Sequence, residues 1–215
     1  MSNTVNRQVL LVEKPAGKLG PEHFGMSEAP IPEPKDGEAL LRVRYISLDA
    51  ANRAWMHGAT YRAAVEANTV MAGGGIAEVV SSKAPGLAPG DIVFGDTGWQ
   101  DYAAVSAKHL TKMPKLEPLT HLLSVYGIAG LTAYFGLLDI GKPKDGETVV
   151  VSAAAGSVGS IFGILLKCLA GTAAYSCQPV SPNTMSPGVS PGAFDDTTSA
   201  MPPPAITVLV STAAR

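Results

Sequence analysis

A glycine-rich turn between an apolar strand and an apolar helix constrains the fold of this chain more than any other feature. The run ETVVVSA at residues 147–153 is β-branched and suits a strand that is buried on both faces. The turn that follows places Ala154, Gly156 and Gly159 at the three positions of the G-x-G-x-x-G dinucleotide fingerprint, with alanine at the first. Helical apolar periodicity then begins. This order predicts the start of a doubly wound, Rossmann-type domain.

The turn contains the predicted cofactor-binding residues Gly156, Ser157, Val158 and Gly159. Gly156 lets the backbone approach a pyrophosphate, and Gly159 allows the helix to pack closely on the strand. Ser157 and Val158 begin the helix, where free amides and the positive end of the helix dipole favour phosphate. An acidic residue for an NAD ribose, or a basic one for an NADP phosphate, is expected about 20 positions further on, and neither is present. The sequence therefore predicts half of a dinucleotide site.

The same turn also has the form of a hydrolase nucleophile elbow, with Ser157 as the nucleophile. That interpretation fails because elbow hydrolases supply their acid and histidine after the serine. All four histidines precede it, at His23, His57, His109 and His121. They have no metal-ligand spacing relative to one another or to the two cysteines. The sequence therefore assigns no metal site and no catalytic residue.

Short strands dominate the first half of the chain. EALLRVRYISL at residues 38–48 alternates as a half-buried antiparallel strand does, with Ala39, Leu41, Val43 and Tyr45 on one face. GIAEVVSS and DIVFG follow between turns rich in glycine and proline, and this density of strands suggests a small β-barrel. Trp99, in the same region, either lines a pocket or packs in the core.

The pattern becomes helical after residue 118. Apolar side chains recur at i, i+3, i+4 and i+7 in Leu131, Tyr134, Phe135 and Leu138, which predicts a helix that glycine and proline end at residues 141 and 143. A barrel-like module followed by helix, strand, glycine turn and helix implies two domains. The predicted fold class is therefore mixed β and α/β.

The composition changes abruptly near residue 170. The first 170 residues contain 31 charged side chains and the last 45 contain 3, while residues 171–204 hold seven prolines. Such a segment buries too little apolar surface to offset chain entropy, so we expect a disordered tail over residues 171–215. The apolar run at residues 206–210 is expected to form at most an isolated strand without a partner in the tail. A shifted reading frame is the hypothesis that this change suggests.

Several classes of protein are disfavoured by composition. A formal net charge of -2 gives no electrostatic reason to expect nucleic acid. No apolar run approaches the roughly 20 residues of a membrane span, and the amino terminus lacks the basic-then-apolar order of a secretory signal. The sequence therefore predicts a cytoplasmic protein.

Between about Arg7 and Gly163 the chain contains, in this order, YISLDAANRAWM, MAGGGIAEVV, GDIVFG, GWQDYAAV, YGIAGLTAYFGLLDIGKPKDGETVVVSAAAG and SVGS. In these motifs, their order and their spacing it resembles the zinc-independent medium-chain dehydrogenase/reductase family, and within it the leukotriene B4 12-hydroxydehydrogenases and the NADPH-dependent enone or curcumin-type reductases. Zinc-using relatives carry Gly-His-Glu where this chain has three glycines at residues 73–75. The resemblance therefore implies no metal.

This resemblance also implies a domain plan and further site residues. Residues 1–120 would form a GroES-like barrel on the substrate side, and residues 121–170 would open an incomplete Rossmann cofactor domain before the tail. Thr132 would join the NADPH-binding residues. The residues assigned to the substrate side are Asn52, Arg53, Trp99 and Tyr134. Where the family often has Pro-Tyr-Met, residues 50–52 read Ala-Ala-Asn, which removes an aromatic wall.

The activity implied by the resemblance is reduction of the C=C bond of an α,β-unsaturated carbonyl compound by NADPH. A small-molecule enone is then the partner, and a homodimer is the family's assembly. A zinc-independent NADPH:quinone reductase is the nearest enzymatic alternative. Because most of the family's Rossmann strands and its 2′-phosphate-binding residue are missing, the other alternative is a catalytically inactive fragment whose barrel remains as a folded module.

Overall fold

The computed structural model describes residues 5–58, 62–144, 148–151, 154–170, 174–175 and 205–207. The chain forms two compact units that divide between Leu123 and Ser124. The sequence analysis placed this division at residue 120. Most of the expected tail, residues 171–215, lies outside the described residues.

Unit 1, up to Leu123, contains eight described strands arranged in two antiparallel sheets. The strands are β1 (Val5–Leu11), β2 (Phe24–Pro30), β3 (Glu38–Ile46), β4 (Thr69–Val70), β5 (Gly74–Ser82), β6 (Ile92–Asp96), β7 (Tyr102–Ser106) and β8 (Leu110–Met113). One sheet has the order β2-β1-β4 and the other β7-β3-β5-β6-β8. Helix α1 (Ala50–His57) lies between β3 and β4, and short 3-10 helices cover Pro21–His23, Ala107–His109 and Leu119–Leu122.

The two sheets are joined by backbone hydrogen bonds along β1. The Val9 N–H donates to the Trp99 carbonyl over 2.9 Å, and the Asp101 N–H donates to the Arg7 carbonyl over 3.0 Å. The segment that contains Trp99 and Asp101 leads directly into β7 of the larger sheet. The predicted β-rich first half is therefore confirmed, with the sheets continuous at this edge as in a barrel.

Strand β3 follows the predicted alternation only in its first half. Ala39 and Leu41 are fully buried, as expected for the core face of a half-buried strand. The pairing of β3 with β5 shifts register between Val43 and Tyr45, and Tyr45 is exposed. A bulge of this kind adds a residue to one strand. Beyond it Tyr45 and Ile46 are both exposed, although they alternate along the predicted strand, so the end of β3 is not half-buried as predicted.

Asp91 stabilises the turn before β6 and gives unit 1 a pH dependence. Its carboxylate accepts a hydrogen bond from Lys112 Nζ over 2.7 Å and another from the Ala88 N–H over 2.9 Å. The lysine contact first, and the backbone contact second, lower the pKa of Asp91 below its ordinary value of 3.8.

Replacing this carboxylate by an amide is expected to lower stability at neutral pH and not in strong acid. A pKa that is lower in the folded state stabilises the fold above the unfolded-state pKa, and the contribution is lost as the pH falls through the folded-state value. Asp91→Asn should therefore melt below wild type at pH 7, and the two melting temperatures should converge on acidification. Thermal unfolding across the acid range measures this, and a constant difference would contradict it.

Unit 2, from Ser124 onward, combines helices with parallel strands. Its described elements are α2 (Ile128–Phe135), a π-helical segment (Gly136–Gly141), β9 (Thr148–Val151), α3 (Ser157–Ala170), β10 (Ala174–Tyr175) and β11 (Ala205–Thr207). Strand β9 is central and pairs in parallel with β10 on one side and β11 on the other. The predicted strand, turn and helix are all present, which confirms the mixed β and α/β class.

The core of unit 2 is formed by side chains from α2, the π-helical segment, β9 and α3. The buried members are Ala133, Leu137, Val149, Val151, Ala154, Val158, Phe162 and Leu166. In α3 the buried residues recur every four positions, which is the spacing of one helical face. Burial of this face against β9 holds the start of α3 beside the end of the strand.

Helix α2 buries the face that carries its small residues and exposes the face that carries its large apolar residues. Leu131, Tyr134 and Phe135 are each about half exposed, whereas Gly130 and Ala133 are buried. A Cβ atom at Gly130 would overlap the Val125 carbonyl, so only glycine fits there. Ala133 packs in the core of unit 2, so α2 turns its small residues inward and its large side chains lie outside.

The short apolar run near the carboxyl end has a strand partner. The sequence suggested an isolated strand at residues 206–210, but β11 covers Ala205–Thr207 and pairs with β9, with Ile206 opposite Val149. That prediction was wrong because it considered partners only within the tail. The edge of β9 offered unpaired backbone groups to any extended segment that reached it.

Candidate functional site

The candidate cofactor site is the turn from β9 into α3. Gly156 and Ser157 are exposed at the start of the helix, and Val158 and Gly159 are buried. The Ser160 N–H donates to the Gly156 carbonyl over 2.9 Å, so the helical hydrogen-bond ladder begins at Gly156. The amides of the first helical turn precede this ladder and have no acceptor within the helix. The turn therefore leaves backbone donors at the start of α3.

The surroundings of this turn fit a pyrophosphate. Helix α3 has 14 residues, long enough for its dipole to place partial positive charge at Ser157. Within the described residues of β9, the turn and α3, Lys167 is the only charged side chain, so no carboxylate there opposes an anion. Residues 152–153 of the turn lie outside the described residues.

Thr132 and Tyr134 lie on the exposed side of α2. The Thr132 hydroxyl donates to the Ile128 carbonyl one turn earlier over 2.6 Å, which leaves its oxygen as an acceptor. The Tyr134 ring contacts the edge of Phe135 with 5.4 Å between ring centroids. Both residues are accessible to a ligand. No contact between either of them and residues 156–159 is among the described interactions.

Asn52 has a structural role at the start of α1. Its Oδ1 accepts a hydrogen bond from the Asp49 N–H over 2.6 Å, and its Nδ2 donates to the Ala72 carbonyl over 3.1 Å. The side chain is buried, so it caps the helix and attaches it to the segment before β5. Its neighbour Arg53 is exposed and donates to the Gly17 carbonyl over 2.7 Å.

Trp99 packs beside the glycine-rich segment at residues 73–75. Its ring stacks on Phe24 with 5.6 Å between centroids and an interplanar angle of 25°. A Cβ atom at Gly73 would lie 2.5 Å from Trp99 Nε1 and 3.7 Å from Asn52 Nδ2. Asn52 and Trp99, predicted separately, are therefore brought together at Gly73. The Trp99 Nε1 is buried and has no hydrogen-bond partner among the described residues.

The three glycines at residues 73–75 differ in the room that a side chain would have. A Cβ atom at Gly75 would lie 2.6 Å from Thr97 Oγ1 and 2.7 Å from the Tyr45 carbonyl. At Gly75 packing therefore excludes a side chain. In the described part of the chain, no three His, Cys, Asp or Glu side chains are grouped as metal ligands would be.

The structure separates the predicted residues into sets on different units. Gly156, Ser157, Val158, Gly159, Thr132 and Tyr134 belong to unit 2, whereas Asn52, Arg53 and Trp99 belong to unit 1. Sequence reasoning missed Phe24 and Gly73 as the neighbours of Trp99. A non-local contact of this kind leaves no periodic signal, although the adjacent glycines did mark a close backbone approach.

Among the described residues no helix has the length and apolar character needed to cross a membrane.

Comparison with known proteins identifies relatives of this chain. Residues 7–113 match the model of the N-terminal domain of oxidoreductase. The chain is 45% identical over 163 residues to the putative NADP-dependent oxidoreductase YfmJ of Bacillus subtilis, covering 75% of this chain and 48% of that protein. It is 42% identical over 160 residues to the NADPH-dependent curcumin reductase of Escherichia coli, covering 74% of this chain and 46% of that protein.

A solved structure with a similar fold also matches this chain. The crystal structure of CurA from Vibrio vulnificus in complex with NADPH has a TM-score of 0.71 and 38% identity, and the match covers 79% of this chain and 50% of that one. The chain spans about half the length of the curated relatives that it matches. The matched residues include the barrel strands of unit 1 and extend into unit 2. By sequence and by fold, the chain belongs to the medium-chain reductase family.

Proposed function

We propose that this chain takes part in an NADPH-dependent oxidoreductase that reduces the C=C bond of α,β-unsaturated carbonyl compounds. The observation that carries the proposal is the turn into α3, where Gly156 and Ser157 are exposed and the described residues of β9, the turn and α3 include no carboxylate. The names of two relatives support the assignment to C=C reduction, because one is an NADPH-dependent curcumin reductase and the other is a prostaglandin reductase 1 from Bos taurus. A related structure was solved with NADPH.

In this proposal the chain's own residues bind and orient the cofactor. The first-turn amides of α3 hold the pyrophosphate, and buried Val158 and Gly159 fix the helix start against β9. NADPH, when bound, supplies the hydride that the reduction needs. Thr132 and Tyr134 have exposed side chains on α2 that are available to the rest of the cofactor or to substrate.

The proposal is tested by titrating the full chain with NADPH and comparing two charge-introducing variants. Ser157→Glu places a carboxylate at the phosphate position, and we expect binding to weaken on the order of tenfold or more. A glutamate at a helix start is favoured by the helix dipole, so misfolding is not the expected cause. The matched control is Ile164→Glu, an exposed position in the same helix. It lies about 10 Å further along the axis, beyond a Debye length of about 8 Å, and should bind NADPH as wild type does.

Turnover then distinguishes the candidate activities. We expect a higher kcat/KM for the oxidation of NADPH when the substrate is an enone than when it is a quinone. The reverse preference would favour a quinone reductase. If neither wild type nor the Ile164→Glu control binds NADPH, the proposed function fails, and the barrel module without catalytic activity becomes the better description.

A further inference from the structure

A cavity of about 360 Å³ lies beside strand β4 in unit 1. Part of its lining comes from the segment that follows α1, including Arg62 and Glu66, and part comes from β4 and the residues after it, including Val70 and Ala72. Small-molecule sites in proteins have volumes of about 300–1,000 Å³. The cavity is therefore large enough for a small organic molecule.

One charged group that lines this cavity is held from two sides. The guanidinium of Arg62 lies over the Trp55 ring, with 4.6 Å between its central carbon and the ring centroid. Its Nη2 donates to Asp96 Oδ2 over 2.7 Å. Trp55 belongs to α1 and Asp96 ends β6, so two separate elements orient the guanidinium. A ligand therefore meets a cation whose side chain has already lost much of its conformational freedom.

Arg62 can bind a carboxylate in addition to Asp96. A guanidinium has five N–H donors in one plane, which is more than a single carboxylate oxygen uses. The side chains of Arg62 and Asp96 are 30% and 50% exposed, and an ion pair in water of this kind is weak, so a second anion can share or displace it. Among the lining residues that the structure describes, Arg62 is the only cation.

The rest of the lining suits hydrocarbon. Its apolar members are the small side chains Ala63, Ala64, Val65, Val70 and Ala72. An alkyl chain that lies against them is removed from water, which favours binding. The cavity therefore combines one oriented cation with an apolar wall, the usual composition of a small-molecule site.

The carboxylate of Glu66 opposes an anion in the cavity only weakly. Its side chain is 75% exposed, and Lys14 Nζ lies 3.7 Å from its Oε2. Solvent and the lysine therefore screen its charge. We propose that this cavity binds a small carboxylate with an apolar tail, whose head group pairs with Arg62. The proposal does not depend on the proposed function, because neither Arg62 nor Asp96 is assigned to NADPH or to the reduced substrate.

The test titrates the full chain with hexanoate and follows binding by saturation-transfer NMR. Hexanamide, a neutral molecule of the same length, is the matched ligand. Wild type should bind hexanoate on the order of tenfold more tightly, because a carboxylate makes charge-assisted hydrogen bonds to Arg62 and an amide does not. Butanoate should bind more weakly than hexanoate, by roughly fourfold for each methylene removed.

Two substitutions should change the affinity for hexanoate in opposite directions. Arg62→Gln removes the cation and should weaken binding on the order of tenfold. Asp96→Asn removes the carboxylate that competes for Arg62 and repels the ligand, so it should tighten binding severalfold. The matched control is Arg7→Gln, which changes the net charge equally and breaks another exposed ion pair of unit 1, with Asp101. Its affinity should equal that of wild type.

Four results would overturn the proposal. Wild type might fail to bind hexanoate at tens of millimolar, or it might bind hexanamide equally well, in which case the head group is not recognised. Equal weakening by Arg62→Gln and Arg7→Gln would show an effect of net charge alone. An affinity of Asp96→Asn at or below that of wild type would show that Asp96 and the ligand do not compete. The comparison of ligands on wild type and the gain expected from Asp96→Asn remain decisive even where Arg62→Gln does not fold.

Discussion

Replacing Leu166 by alanine is expected to lower the free energy of unfolding of unit 2 by about 2–5 kcal/mol. Leu166 is fully buried in α3 and packs in the same cluster as Val151 and Phe162. Truncation removes its burial and leaves a cavity that the surrounding helices and β9 fill only in part. Because this cluster also fixes the start of α3, we expect NADPH binding to weaken with the loss of stability.

Leu169→Ala is the matched control for this prediction. Leu169 is the same residue type in the same helix, three positions later, and it is 53% exposed. Alanine favours helix slightly, so the variant should unfold within about 1 kcal/mol of wild type. Far-ultraviolet circular dichroism at the helical band follows denaturant unfolding, because α2 and α3 of unit 2 contain most of the described helical residues and α1 of unit 1 has only eight. Equal destabilisation by the two substitutions would show that α3 does not bury the face described.

Replacing Gly75 by alanine is expected to destabilise unit 1 by about 1–3 kcal/mol, the cost of overpacking a well-packed site. The new Cβ atom would lie 2.7 Å from the Tyr45 carbonyl, a backbone atom held by the sheet, and 2.6 Å from Thr97 Oγ1. Thr97 is itself buried, so neither neighbour moves freely. Strand β5 must shift relative to β3 for the methyl group to fit.

The neighbouring Gly74 provides a comparison, because alanine should destabilise unit 1 less there than at Gly75. At Gly74 a Cβ atom would meet the ring of Phe94 at 3.2 Å, and a partly exposed ring can move by a few tenths of an ångström. Gly74→Ala should therefore cost less than about 1 kcal/mol, since alanine also reduces the entropy of the unfolded chain. Both tryptophans, Trp55 and Trp99, belong to unit 1, so tryptophan fluorescence reports its unfolding. Greater destabilisation at Gly74 than at Gly75 would contradict the packing described.

Replacing Gly73, the first of the three glycines, by alanine is expected to change the tryptophan fluorescence. Its Cβ atom would lie 2.5 Å from Trp99 Nε1, so the indole must leave its stack on Phe24. We expect a shift in tryptophan emission in the folded state, which Gly74→Ala should not cause. This signature separates displacement of Trp99 from a general loss of stability.

The elements of both units could be predicted to a useful extent from local patterns. The alternation in EALLRVRYISL predicted β3, and the β-branched run with its glycine turn predicted β9 and α3. Both signals are strong because burial of one strand face or one helix face repeats at a fixed period. Local reasoning failed at the end of β3, where a bulge interrupts the pairing with β5 and both Tyr45 and Ile46 are exposed.

The sequence by itself determined where backbone donors for a phosphate lie, because a glycine turn before a helix creates them from local chain geometry alone. It also determined the family, through motifs in order along the chain. Tertiary structure alone decided which face of α2 is buried, since Ala133 rather than the large apolar side chains packs in one cluster with Val151 and Phe162. It alone decided that Asn52 and Trp99 meet at Gly73. Such contacts join residues far apart in sequence, and their energies depend on packing rather than on residue type.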